Sequence, residues 1–243
     1  MNKVSEVNYK KDLEDNGYTV IETVFSSHEI DIITETIQSK SSSSNITFRK
    51  SKDLFAIRQF LKEIPELKTL LFNEKLKEVL RALLGNDSFV VKSIYFDKPE
   101  QSNWFVSYHQ DLTISVNKKL DIEEYTNWTI KQNQFSVQPP KEILENISTI
   151  RIHLDDTNEK NGALKVIPKS HKNGVVRADS IDFQNMNERV CSVKKGGIMI
   201  MKPLLFHASN KTINNERRRV IHIEFSNITL PEQLSWSEKN SIN

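Results

Sequence analysis

Over the first 87 residues apolar side chains recur at helical three- and four-residue spacing; beyond them they gather in short β-branched runs. Residues 4–16 form a polar helical segment that Gly17 stops. "YTVIETVF" alternates like a short strand. In "SSHEIDIITETIQSK" Ser27 is the expected N-cap, and Ile30, Ile33 and Ile37 share one face. "KSSSSN" predicts a flexible linker, and "ELKTLLFNEKLKEVLRALLG" an amphipathic helix or helix pair ending at Gly85.

The later runs "SFVVKSIYF", "NISTIRIHLDD", "GALKVIP", "GGIMIMKPLLFHAS" and "RRRVIHIEFS" are strand candidates bounded by Asn, Gly, Pro and Asp. No long helix separates them, which predicts an antiparallel β-sandwich or barrel, not a doubly wound sheet. Residues 117–146 have weak periodicity and are too long for a turn; Tyr125, Trp128 and Phe135 predict a folded lid. A chain of 243 residues with this pattern reads as one domain, 1–243. It has a helical part at 1–87, a β core at 88–228 that includes the lid, and a tail at 229–243.

Composition narrows the function classes. A net charge of +2 carries no footprint for nucleic acid or an anionic membrane. Cys191 is the one cysteine, which excludes an internal disulfide and a Cys-rich zinc site and predicts a reducing, cytoplasmic setting. No apolar run approaches the roughly 18 residues of a membrane span, and the polar N-terminus lacks a signal-peptide core. Nothing in the chain calls for an obligate protein partner.

The candidate chemistry starts at "SYHQDLTISV". On a strand, residues i and i+2 project to one face, so His109 and Asp111 can bind one ion. His153 and Asp155 form a second such pair, and spacing alone does not choose between them. A two-histidine, one-carboxylate Fe(II) site needs a further histidine and leaves positions open for co-substrate and oxygen. "LLFHAS" offers His207, with Ser209 two residues on and Arg218 eleven on (218 − 207), room for a turn and a returning strand. An arginine there can grip the distal carboxylate of 2-oxoglutarate bidentately.

In order and spacing, "HQD", "NGALKVIPKSH", "LLFHAS" and "RRVIHIEF" resemble the phytanoyl-CoA dioxygenase family of Fe(II)/2-oxoglutarate oxygenases, from about residue 90 to 226. That resemblance implies a mainly β fold with flanking α-helices: a double-stranded β-helix (jelly roll) core with N-terminal helices. It implies iron ligands at His109, Asp111 and His207, and a 2-oxoglutarate site at Arg218 assisted by Ser209. The implied enzyme is a dioxygenase that uses O2 to hydroxylate a small molecule; desaturation or epimerisation is open to the same oxidant. A catalytically silent cupin-like binding or sensor protein is the alternative class. Halogenating relatives lack the carboxylate, so Asp111 favours hydroxylation.

The resemblance also assigns His153 and Asp155 to the strand and turn that lead into the second motif, with Asp155 and Asp156 as turn residues. Pro168-Lys169-Ser170-His171 stands where the family usually has Pro-Gly-Ser-His, which predicts an altered turn and a turn-stabilising His171. The 117–146 insertion, absent from the fatty acyl-CoA members, argues against acyl-CoA substrates.

Three adjacent arginines cannot share a strand face, so an inward Arg218 leaves Arg217 and Arg219 solvated. On "TIRIHL", Arg151 and His153 alternate with Ile150, Ile152 and Leu154. Pointing inward, they and Lys92 would bring positive charge near the iron, with Trp128 joining from the lid. These four are the candidate substrate-binding residues, and they predict a small anionic metabolite or natural-product intermediate.

Overall fold

A computed structural model of the protein describes residues 3–40, 48–50, 55–131 and 134–242. The Ser-rich stretch expected as a linker lies, at 41–45, outside them. Helix α1 (Lys3–Asn16) stops at Gly17, whose φ is 84°. A Cβ at Gly17 would sit 2.4 Å from His171 Nδ1, so the helix end closes on that ring only through a glycine. Strand β1 (Tyr18–Ile21) and helix α2 (Ser27–Lys40) follow. The cap of α2 is Ser26, not Ser27. Ser26 Oγ accepts from Glu29 N at 3.2 Å while the Glu29 carboxylate accepts from Ser26 N at 2.7 Å, a reciprocal capping box.

Strands β2 (Phe48–Lys50) and β3 (Phe55–Arg58) pair antiparallel, then come helices α3 (Phe60–Glu63), α4 (Leu67–Leu71) and α5 (Glu74–Leu84). The long amphipathic stretch is thus a helix pair. It breaks at Asn73, whose side chain accepts from Leu76 N at 2.8 Å and caps α5.

The core continues with β4 (Phe89–Lys98), β5 (Val106–His109), β6 (Ile114–Val116), β7 (Thr126–Lys131), β8 (Gln134–Gln138) and helix α6 (Lys141–Glu145). After it come β9 (Ser148–His153), β10 (Leu164–Val166), β11 (Arg189–Cys191) and β12 (Ile198–Met201). Strands β13 (His207–Ser209), β14 (Arg218–Ser226) and β15 (Asn240–Ser241) complete the chain.

Two antiparallel sheets form a jelly roll. The larger runs β1-β12-β9-β14-β4-β3-β2, with β15 added on β4; the smaller runs β11-β10-β13-β5. The first 87 residues are therefore more than a helical cap, because β1, β2 and β3 extend the large sheet. On its outer face Ile150, Ile152, Ile198, Ile200, Ile221 and Ile223 pack against the helices. Each such burial is worth about 1.5–3 kcal/mol, and a one-residue slip would expose the whole set, so register is firmly specified. The alternate positions, Arg151, His222 and Lys92 among them, are thereby turned into the space between the sheets.

Strands β6, β8 and β7 make a third sheet. Its apolar face shares a cluster with Val91, Leu204 and the chain's last segment, where Leu230, Leu234 and Trp236 are buried. Trp236 Nε1 donates to Ile228 O at 2.9 Å, which fixes the indole. The insertion is thus folded, but on its own core. Among the described residues none of 117–146 lines the central cavity.

Candidate metal centre and co-substrate cavity

Strand β5 ends at His109 and β13 begins at His207, and the two are direct cross-strand partners. Asp111 follows the end of β5, its N–H donating to Pro203 O at 2.9 Å. Gln110 between them turns away: its amide donates to Gly174 O (2.8 Å) and Leu204 O (2.7 Å) and accepts from Val176 N (2.9 Å). That buried clamp holds the bend that brings His109 and Asp111 to one side.

Each imidazole is oriented by its own strand. His109 Nδ1 donates to Ser107 O and His207 Nδ1 to Leu205 O, both at 2.9 Å. The hydrogens therefore sit on Nδ1, and each Nε2 presents a lone pair. Those Nε2 atoms lie 3.8 Å (His109) and 3.7 Å (His207) from the Asp111 carboxylate oxygens, and one ligand atom from each residue fits within 4.8 Å of the others. Burial lowers the His207 pKa to about 4, with Asp111 pulling it back up only in part. For Asp111 burial acts upward but is outweighed by His207, His222, Lys92 and His109, so its pKa falls below the usual carboxylate range. Neutral His207 and an anionic carboxylate are the protonation states a divalent ion needs.

These groups open onto a cavity of about 150 Å³ between the sheets. Arg218, at the start of β14, lines it and is buried, yet its Nε and Nη1 have no hydrogen-bond partner among the described residues, nor does Ser209 Oγ. Burial, then the charge of Arg151, lowers the Arg218 pKa to about 9. A buried guanidinium with open donors beside an open hydroxyl matches a carboxylate. The donor set and the unpartnered atoms thus fit Fe(II) and 2-oxoglutarate.

Both flanking arginines are ion-paired; Arg217 is solvated as expected, its side chain 48% exposed, whereas Arg219 is not. Arg217 Nε donates to Asp97 Oδ1 at 2.7 Å, with Nη2 on the other carboxylate oxygen. Arg219 grips Asp155 through Nε (2.9 Å) and Nη2 (2.6 Å), its side chain only 16% exposed. Asp155 is thus taken. His153 Nδ1 bonds Thr157 Oγ1 at 2.8 Å, so the rival His-x-Asp pair is separately engaged.

The four substrate candidates do not gather together. Arg151 and Lys92 line the cavity; His153 is buried without lining it. Trp128 packs against the cluster of the third sheet, since its strand faces the chain's tail and not the cavity. Burial holds the His153 pKa well below its usual value, with Arg151 and Arg218 pushing the same way, so it adds no charge. Lys92 Nζ lies 2.7 Å from Glu224 Oε1, which cancels its charge. His222 shares the inward face of Arg218 and Val220 as strand alternation predicts, and Glu224, two residues further on, joins it as the partner of Lys92. Trp104 also lines the cavity.

Lys169 takes the left-handed conformation (φ 70°), a region glycine enters at less cost than lysine. His171 instead docks the first helix, with Nε2 3.1 Å from Glu14 O. Cys191 is buried.

The sequence model of the phytanoyl-CoA dioxygenase family matches residues 13–220. A probable alpha-ketoglutarate-dependent hypophosphite dioxygenase of Stutzerimonas stutzeri is 28% identical over 174 residues, 66% of this chain and 52% of that protein. The chain thus spans about half the length of that relative. EctD from S. alaskensis, solved with 2-oxoglutarate and 5-hydroxyectoine, superposes with a TM-score of 0.69 at 18% identity, covering 93% of this chain and 76% of that one. The alpha-ketoglutarate-dependent epimerase SnoN from nogalamycin biosynthesis gives 0.68 at 11% identity, covering 93% and 82%. At such identities the two structures speak for the jelly-roll fold alone.

Proposed function

Since the chain belongs to the phytanoyl-CoA dioxygenase family, we propose that it is a non-haem Fe(II)- and 2-oxoglutarate-dependent dioxygenase that hydroxylates a small molecule. One observation carries the reading: two imidazoles with free Nε2 atoms and an anionic carboxylate converge beside a buried arginine with open donors. His109, Asp111 and His207 hold the metal, and Arg218 with Ser209 holds the distal carboxylate of 2-oxoglutarate. Bound Fe(II) supplies the redox chemistry that couples decarboxylation of 2-oxoglutarate by O2 to oxidation of the second substrate.

The chain's own residues do the positioning. Leu205 O and Ser107 O fix the imidazole rings, Gln110 fixes the bend, and the apolar walls Ile94, Phe96 and Leu164 keep bulk water from the reacting centre. Asp111 would give the metal a carboxylate ligand, which favours transfer of hydroxyl. The relative's hypophosphite is a small anion, and a cavity of about 150 Å³ that must also hold 2-oxoglutarate leaves room only for a small second substrate. Residues 1–243 act as one oxygenase unit on small molecules, without nucleic acid or an obligate protein partner. No helix among the described residues is long and apolar enough to cross a membrane, and the buried lone cysteine accords with the cytoplasm.

The test is succinate release. Protein loaded with Fe(II) and given 2-oxoglutarate and O2 yields succinate, and Asp111→Ala does not; no succinate from the wild type under any metal load refutes the reading and favours a silent binding protein.

A further inference from the structure

The groups assigned so far leave one charge in the cavity unanswered. Lys92 is matched by Glu224 at 2.7 Å. With Fe(II) on the triad, Asp111 and the metal-binding carboxylate of 2-oxoglutarate offset the ion, and the distal carboxylate offsets Arg218. Arg151 is what remains.

Its surroundings orient it without neutralising it. Arg151 Nη1 lies 3.2 Å from His222 Nδ1, and His222 Nε2 lies 3.1 Å from Glu224 Oε1. An arginine has no acceptor, so Nη1 donates and Nδ1 must carry a lone pair; Nε2 then carries the hydrogen given to Glu224. The ring carries no negative charge to set against the guanidinium. Across the other strand edge Arg151 faces Met199, an uncharged thioether. Two further groups act on Arg151 electrostatically: Asp111, whose charge the metal takes up on this reading, and Cys191, which stays a neutral thiol because burial pushes its pKa to about 12. Arg151 Nε has no partner among the described residues, and the side chain is 7% exposed while lining the cavity. A buried cation with only a neutral partner is costly unless an anion joins it.

We propose that Arg151 is a specificity residue that receives an oxyanion group of the second substrate, with the Lys92–Glu224–His222 chain as its mount. The proposal rests on the dioxygenase reading of the same site. It names the substrate class: a small molecule bearing a carboxylate or a phosphorus oxyanion, placed beside the metal by one guanidinium while the other is given to 2-oxoglutarate. Lys92 and His153 have no part in charge recognition, because one is ion-paired and the other neutral.

The test reads binding, not turnover. Under anaerobic conditions the visible charge-transfer absorption of the ferrous 2-oxoglutarate chelate reports co-substrate binding. Acetate and inorganic phosphate are then titrated in as the two oxyanion probes. In the wild type at least one probe perturbs the absorption saturably, and which one does so separates carboxylate from phosphorus oxyanion. Arg151→Met and Arg151→Gln weaken that response at least tenfold and change the 2-oxoglutarate constant less than threefold, whereas Arg218→Met does the reverse. Arg151→Lys, which keeps the charge, retains a response stronger than either.

Loss of 2-oxoglutarate binding in the Arg151 variants would assign Arg151 to the co-substrate and overturn the proposal. So would an unchanged probe response in them, or no response to either probe in the wild type. A wild type that forms no absorption at all overturns the dioxygenase reading itself, a separate outcome.

Discussion

His207 Nε2 stands 3.7 Å from Asp111 Oδ2, too far for a hydrogen bond, although the two groups face each other across the cavity wall. With His109 Nε2 at 3.8 Å from the other carboxylate oxygen, both imidazoles converge on Asp111 without bonding to it. Three donors brought from two strands and held just apart have the arrangement of a cation site.

That arrangement makes Asp111 indispensable to metal binding. Asp111→Ala removes the only anionic donor and lowers affinity for Fe(II) or Co(II) at least about tenfold, as loss of a ligand should exceed the 10–100-fold cost of losing a supporting group. Calorimetric titration checks it; wild-type affinity in the variant refutes the ligand set.

Arg218 and Arg219 are neighbours with opposite duties. Arg218→Ala raises the 2-oxoglutarate constant about tenfold or more, from about 1.5–3 kcal/mol per charged hydrogen bond, with little loss of stability. Arg219→Ala leaves that constant alone but lowers Tm, since it breaks a shielded bidentate pair with Asp155. Co-substrate titration and thermal melts of both variants decide it; exchanged phenotypes would mean that Arg219 faces the cavity.

Glu238 gives the tail a pH dependence. Burial raises its pKa to about 7, although the Ser93 hydroxyl and the Ser93 N–H, at 3.1 Å, favour the charged form. Between the ordinary value of 4.5 and about 7 the folded chain holds a proton that the unfolded chain has lost. Its contribution is complete below pH 4.5 and disappears as pH rises to about 7. Glu238→Gln removes this loss, so from pH 5 to 8 it gains on the wild type by about 2–3 kcal/mol in urea unfolding. Parallel pH profiles would contradict it.

Much of the site was legible because strand alternation is local. The pattern of β14 turns Arg218, Val220, His222 and Glu224 to one side, and that of β9 does the same for Arg151 and His153. Register between distant strands is not local. Lys92 reads as a free cation until β4 is aligned on β14, where Glu224 lies directly across from it. Asp97 and Asp155 claim Arg217 and Arg219 in the same way, through pairings no spacing reveals. The insertion shows a related limit. Its aromatics announce a folded segment, but its partner is Trp236 at the far end of the chain, so its distance from the cavity had no sequence signal.

Trp236 therefore controls the insertion and not the metal site. Trp236→Ala costs about 3–5 kcal/mol, as for a large buried aromatic. Amide exchange quickens first in residues 114–131 and 134–138, while 2-oxoglutarate affinity at a temperature where the variant is folded changes less than threefold. Exchange confined to the tail would refute the shared core.

The central claim is tested most directly by a crystal grown anaerobically with Fe(II) and 2-oxoglutarate, with anomalous scattering recorded at the iron edge. One iron is predicted within about 2.0–2.3 Å of His109 Nε2, His207 Nε2 and the Asp111 carboxylate, with the distal carboxylate of 2-oxoglutarate on Arg218 and Ser209. Iron bound elsewhere, or that carboxylate resting on Arg219, would contradict the account.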